Sequence, residues 1–325
     1  MRSTNSGLLA RAARGVRTSK SSKLGFNLAF IASAIVACAS LLSGTEATAG
    51  NTTENIGGTQ SLYGNIPPDQ IEFLSTGDRI KSVAASGSMM AIWETLEHGE
   101  RVECLDCIPS VEPLLYDANP RTREIAAWWL RRRLFGVFGK GEVYEKTLQT
   151  LQSDADPKRR ANAAYALGEF LASPGIEACA TAIDRDGDPN VRAAAASALG
   201  RLNDDGRGAL SKALGDTDAR VKLSALGSAG RVNTFTDIAG VARLTGDPDA
   251  KVRRRTAELL GAMRAKDAVD GLIALTKDGD AGVRNSAAHS LGQIRDGRAR
   301  AALEALKNDP DGLVRDQAMM ALRRL

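Results

Sequence analysis

The stretch Asp188-Pro189-Asn190-Val191-Arg192-Ala193-Ala194-Ala195-Ala196-Ser197-Ala198-Leu199-Gly200 decides the fold of this chain. An Asp followed by a Pro opens a helix. The carboxylate accepts from backbone N–H groups that the first turn leaves orphaned, and Pro gives up an N–H that would have had no partner. Counted from the base at 192, small or apolar residues fall three, four and seven positions on. At about 100° per residue they form one stripe. Upstream, Gly175 to Ile183 reads as a shorter partner helix, joined through the turn Asp184-Arg185-Asp186-Gly187. Gly200 is expected late in the second helix, where the chain turns.

The same frame recurs along the chain. Its basic anchors are Arg123, Arg160, Arg192, Lys222, Arg253, Arg284 and Arg315, spaced by 37, 32, 30, 31, 31 and 31 residues. Each of the last six follows an Asp by four residues; Asn119 takes that place before Arg123. A period near 31 signals stacked supersecondary units, none of which can bury its stripe alone. The expected fold is all-α, an α-α superhelix of about seven helical pairs.

The D-P-x-V-R-x-x-A-A-x-A-L-G frame resembles the HEAT-like repeat of the phycobilisome-lyase type, over roughly residues 88–325. The resemblance implies a solenoid and little about activity, because that group holds lyases, a hydroxylase and plain scaffolds. The hydroxylase holds its iron pair through His-Glu dipeptides. Here Gly99 follows His98 and Ser290 follows His289.

Positions one, two, five and nine after the anchor lie opposite the apolar stripe, and there the copies disagree. Position five reads Trp128, Tyr165, Ser197, Gly227, Glu258, His289 and Met320. Stacking lines these residues up as one continuous, variable face. The Asp and Arg ladder tempts a reading as paired acid and base chemistry, yet a catalytic pair is singular and this one occurs in every unit. The structural reading is that the acid caps its own helix while the base reaches the cap or loop of a neighbour.

The first 49 residues hold six bases and one acid, so the basic balance of the whole chain belongs to them. The remainder carries 37 bases against 38 acids, which gives no general pull on nucleic acid. Residues 1–49 read as a secretory signal: a basic stretch to Lys23, an apolar run from Leu24 to about Leu42, then Ala47-Thr48-Ala49 before Gly50. Two other fates fit this leader, lipidation at Cys38 and retention as a membrane anchor. Residues 50–86, rich in Gly, Asn, Thr and Ser, read as a flexible tether, and residues 87–325 as the solenoid.

Trp128-Trp129-Leu130-Arg131-Arg132-Arg133 is the most unusual stretch. Trp129 is expected to pack at the N-terminal end beside Trp93. Trp128 and Tyr165 form an aromatic step on the variable face or close the end of the stack. With Arg132 they are the best candidates for partner contact, since Trp, Tyr and Arg dominate binding hot spots. A longer loop is expected at Gly136 to Val143. Cys104-Leu105-Asp106-Cys107 lacks the His of haem attachment, the second ligand pair of a zinc site and the βαβ setting of a thioredoxin-like motif, which favours a local disulfide. Cys179 reads as a buried small residue.

These readings converge on a non-catalytic protein-binding scaffold or adaptor, exported to the periplasm or cell envelope. It would use no cofactor, no metal, no nucleic acid and no evident small-molecule substrate, and the N-terminus could tether it to a membrane. The alternative is a redox or metal-handling module on the CxxC pair, with a lyase-type enzyme a distant third.

Overall fold

The structure, a computed structural model, describes residues 76–325 except 103 and 135–140. The leader with its signal and anchor readings, the tether to residue 75 and most of the Gly136 to Val143 loop lie outside these residues.

Two helices open the described chain, α1 (Gly77–Ser86) and α2 (Met89–His98). Thr76 and Ser88 cap them by accepting from the N–H groups of Arg79 and Ala91. The solenoid therefore begins earlier than the sequence suggests. Residues 77–86, expected within a flexible tether, form a helix that buries Ile80 and Val83. Gly and Ser at its ends masked a short apolar stripe.

A first-layer turn follows, α3 (Ile108–Val111) running into a 3-10 turn at Glu112–Tyr116. Helical pairs then alternate. The second-layer helices are α4 (Pro120–Leu134), α6 (Pro157–Phe170), α8 (Pro189–Leu202), α10 (Ala219–Ala229), α12 (Ala250–Ala262), α14 (Ala281–Ile294) and α16 (Gly312–Leu322). Between them lie the first-layer helices α5 (Glu142–Ser153), α7 (Pro174–Arg185), α9 (Ala209–Leu214), α11 (Ile238–Arg243), α13 (Val269–Leu275) and α15 (Arg300–Ala305). From α4 to α16 each second-layer helix packs on the next, and α2 packs on α4 ahead of them. No helix among the described residues is long and apolar enough to cross a membrane.

The expected stripe is the core. Ala195, Ala196 and Leu199, and likewise Ala287, Ala288 and Leu291, are fully buried. The caps form as the sequence suggests: Asp188 accepts from Asn190 N–H at 2.7 Å, and Asp156, Asp218, Asp249, Asp280 and Asp311 act alike.

Gly200 lies late in α8 as expected, and the turn itself comes at Asn203, whose φ of 53° is left-handed. Glycine is required for closeness between units instead. A Cβ on Gly168 would meet Ala198 Cα at 2.9 Å, and one on Gly292 would meet Ala321 Cα at 2.8 Å. Across two other seams, α8 to α10 and α12 to α14, Ser228 and Ser290 donate to the carbonyls of Ala196 and Ala257, each at 2.7 Å.

Candidate partner-binding face

At the N-terminal ends of the second-layer helices the Asp and Arg ladder is laid out in full. Each turn from Asp154-Ala155-Asp156 onward carries two acids, as in Asp186-Gly187-Asp188. The second caps its own helix. From Asp186 onward the first accepts from the N–H of the second and also receives the anchor of the preceding unit, whereas Asp154 receives Arg159 of its own helix. Thus Arg160 reaches Asp186 at 2.7 and 2.9 Å, and Arg253 and Arg284 reach Asp278 and Asp309 in the same two-pronged way. Lys222 and Asp247 make the corresponding pair with an ammonium. A third guanidinium nitrogen holds the carbonyls of the anchor's own turn, for Arg192 those of Asp186 and Gly187. The base therefore joins two units. From Arg160 to Arg284 the same pairing joins each unit to the next, so this rim is a fastening.

The variable face lies between that rim and the C-terminal ends of the same helices. Tyr165 on α6 is half-buried. Its hydroxyl accepts from Arg201 of α8 at 3.4 Å, and the Arg201 guanidinium sits 5.0 Å from its ring centre. Arg201 also pairs with Glu169, one turn beyond Tyr165. Burial first, then the Glu169 carboxylate, push the Tyr165 hydroxyl up to about 12, so it stays protonated and able to donate. Glu169 and Arg201 are members of this cluster that the sequence reading missed. Their shared position nine, an acid in one copy and a base in the next, was the available signal.

Trp128 is half-buried at the same register on α4, one unit before Tyr165. Glu124, exposed, lies one helical turn from it on the same helix. Arg132 is exposed and donates to Glu100 at 2.6 Å. The three expected contact residues thus sit on adjoining second-layer helices, Tyr165 engaged with the following unit and Arg132 with the turn that follows α2.

Trp129 and Arg133 do structural work at this end. Trp129 is fully buried and donates to Gly99 O at 2.9 Å. Arg133 lies over its ring at 3.3 Å and binds the carbonyls of Gly99, Glu100 and Val102. The run of three arginines therefore divides, with Arg133 inward and Arg132 outward.

Cys104 and Cys107 form a disulfide across a 3-10 turn, with Cα atoms 5.3 Å apart. Cys107 is fully buried against the start of α1, where a Cβ on Gly77 would meet Cys104 Sγ at 2.9 Å. The bond thus fastens the turn to α1. Cys179 is fully buried, and burial pushes its thiol up to about 12. His289 meets Gln317 at 3.2 Å, and His98 sits at the end of α2, far along the chain from it. Among the described residues no three of His, Cys, Asp or Glu gather where they could hold a metal.

The family signature described as HEAT repeats matches residues 144–230 and 239–323. The chain belongs to the HEAT-repeat family. Among solved structures, this HEAT-repeat chain is similar to YibA of E. coli, with a TM-score of 0.54 and 17% identity, covering 84% of this chain and 99% of that one. It is also similar to importin beta, with a TM-score of 0.55 and 12% identity over 82% of this chain and 48% of importin. Kap95p, solved with RanGDP, gives a TM-score of 0.50 at 14% identity, over 76% of this chain and 43% of that one. At these identities the likeness establishes the fold alone. No curated protein matches the sequence.

Proposed function

We propose that this HEAT-repeat protein is a non-catalytic scaffold or adaptor of the cell envelope, holding a protein partner along the face of its second-layer helices. One observation carries the reading. The fastening groups repeat in every unit, whereas the face between the two rims differs from unit to unit and gathers Trp128, Tyr165 and Arg132 at one end. Solenoids of this family use such continuous faces for extended contact. Kap95p, solved with RanGDP, is a relative in fold that meets a protein. The leader's basic, apolar and small-residue sequence supports export, with residues 1–49 removed or retained as a tether.

A photo-crosslinking side chain placed at Asn162 or Ser197 on the face, and separately at Gln149 on α5, tests the reading in the native cell. One reproducible protein captured from the face and absent from the Gln149 control is the expected result. Equal capture from both positions, or recovery of the chain wholly from the cytoplasm, would overturn it.

A further inference from the structure

The chain beyond its leader is close to electrically neutral, with 37 bases against 38 acids, but its charge is not evenly spread. Two positions of the repeat lie in the middle of the variable face, two residues before the anchor and nine after it. On a helix they fall within about 20° of each other, at opposite ends of the same strip. The first position holds Arg121, Lys158, Arg220 and Lys251 in four units and no acid in any. The second holds Arg132 and Arg201 on their helices and Arg231 and Arg324 in the turns just past α10 and α16, with Glu169 as its one acid. All eight bases are exposed.

Some of this charge is answered locally. Arg132 pairs with Glu100, Arg201 with Glu169, and Arg220 with Asp218. Lys158, Arg231, Lys251 and Arg324 have no carboxylate partner among the described residues, and Arg121 lies 5.9 Å from the Trp93 ring centre. The other acids of the strip are Glu124, Glu258 and Asp316, and Glu258 is already engaged by Arg254 and Arg255. The strip is therefore basic on a neutral chain.

Where one helix runs through both positions, as in α6 and α8, eleven residues separate the two rows, about 16 Å. A helix with its side chains is about 10–12 Å across. In the middle units the floor between the rows is Ala193, Ala194 and Ser197 on α8, then Leu223, Ser224 and Gly227 on α10, short side chains but for Leu223. These short side chains let a guest backbone lie close. Along the solenoid, successive second-layer helices stand about 8–10 Å apart, which matches an acid on every second turn of a helix or every third residue of an extended segment.

We infer that the second-helix face docks an acidic segment of a protein partner, its carboxylates held between the two rows of bases. This rests on the scaffold reading above and adds the partner's chemistry to it. Guanidinium forks take carboxylates in two-pronged pairs, and the ladder at the neighbouring rim shows the same chemistry between units of this chain.

The test is a fluorescence-anisotropy titration of the full chain with a labelled Gly/Ser peptide carrying Glu at every third residue. The Lys counterpart and a single-stranded oligonucleotide are run in parallel. The Glu peptide should bind, weaken as salt rises, and lose about tenfold in affinity in the triple variant Lys158→Glu, Arg231→Glu, Lys251→Glu. A matched reversal on the first-layer helices, Lys146→Glu, Lys212→Glu, Arg243→Glu, should leave binding within about twofold, and circular dichroism checks that both variants keep the fold. No salt-sensitive binding of the Glu peptide, equal loss in both variants, or tighter binding of the oligonucleotide or the Lys peptide would overturn the inference. A partner crosslinked from Asn162 or Ser197 through a neutral or basic segment would overturn it too, while leaving the scaffold reading standing. No capture from that face would remove both.

Discussion

The guanidinium of Arg192 closes on both carboxylate oxygens of Asp216 in the next unit, at 2.7 and 2.9 Å, while its third nitrogen holds the carbonyls of Asp186 and Gly187. One side chain thus fixes the turn of its own unit and the spacing to the following one. Both partners are largely shielded, with 16% and 11% of their side chains exposed. Arg192→Ala leaves Asp216 without its base and should cost about 2–3 kcal/mol. Urea denaturation followed by circular dichroism reads this, and a change below half a kcal/mol would mean the rung is incidental.

Lys222 offers the converse. Its ammonium reaches Asp247, but a single point charge cannot also fork onto the carbonyls of its own turn as the arginines do. Lys222→Arg should therefore stabilise the fold by about 1 kcal/mol. A lower denaturation midpoint would show that the cavity around Lys222 is too tight for the larger head.

The rungs also set an acid limit. Hydrogen bonds from Arg253 and Arg284 hold the carboxyls of Asp278 and Asp309 below the ordinary value of 3.8. A carboxyl lowered in the folded state contributes stability that is fully present above its unfolded value. That contribution is lost as pH falls from there through the folded value. Stability from these rungs should be flat down to about pH 4 and fall below it. Asp278→Asn should give a shallower acid limb in midpoint against pH. An unchanged slope would place the acid sensitivity elsewhere.

Much of this was written plainly in the chain. The seven anchors and their Asp caps gave the pairing of helices, and positions three, four and seven gave the core. The partner of each arginine was less legible. In Asp186-Gly187-Asp188 the two acids look equivalent, and only the turn's geometry commits the second to its own helix and frees the first for the preceding unit. Helix α1 was hidden because Ile80 and Val83 are a brief stripe among Gly and Ser. Trp128, Tyr165 and Arg132 could be placed on one side from periodicity. The Arg201 and Glu169 contact could not, because it joins different units at a position where the copies disagree.

The glycines of the repeat separate into two kinds. Gly292→Ala would press a methyl onto Ala321 and should cost about 1–3 kcal/mol. Gly227 lies in a helix with nothing within 4 Å of where its Cβ would be. Gly227→Ala should stabilise by about 0.5–1 kcal/mol, through the backbone entropy glycine forfeits. Thermal melts of the pair should move in opposite directions, and a shared direction would contradict the close-approach account.

Cys179 should be silent to alkylation in the native protein. It is fully buried, and its thiol, pushed up to about 12, holds almost no thiolate at pH 8. Mass analysis after iodoacetamide should show no adduct within residues 76–325 until denaturant is added, and then one. With reductant and denaturant together, Cys104 and Cys107 should add two more within residues 76–325. A native adduct at Cys179 would mean that α7 opens readily.

The two adjacent tryptophans give the sharpest division between fold and face. Trp129 is fully buried, donates to Gly99 and carries Arg133 on its ring, so Trp129→Ala removes a large core side chain and the anchor of the turn after α2. It should cost about 3–5 kcal/mol and loosen the N-terminal units first. Trp128 is only half-buried, packed in part against the core, at a position of the variable face. Trp128→Ala should cost no more than about 1–2 kcal/mol and keep the helical spectrum, while weakening capture of the partner from Asn162. Hydrogen exchange compares the two variants segment by segment. If Trp128→Ala unprotects α2 and α4 as Trp129→Ala does, Trp128 closes the stack, and the contact surface must be sought farther along, from Tyr165 and Arg201 onward.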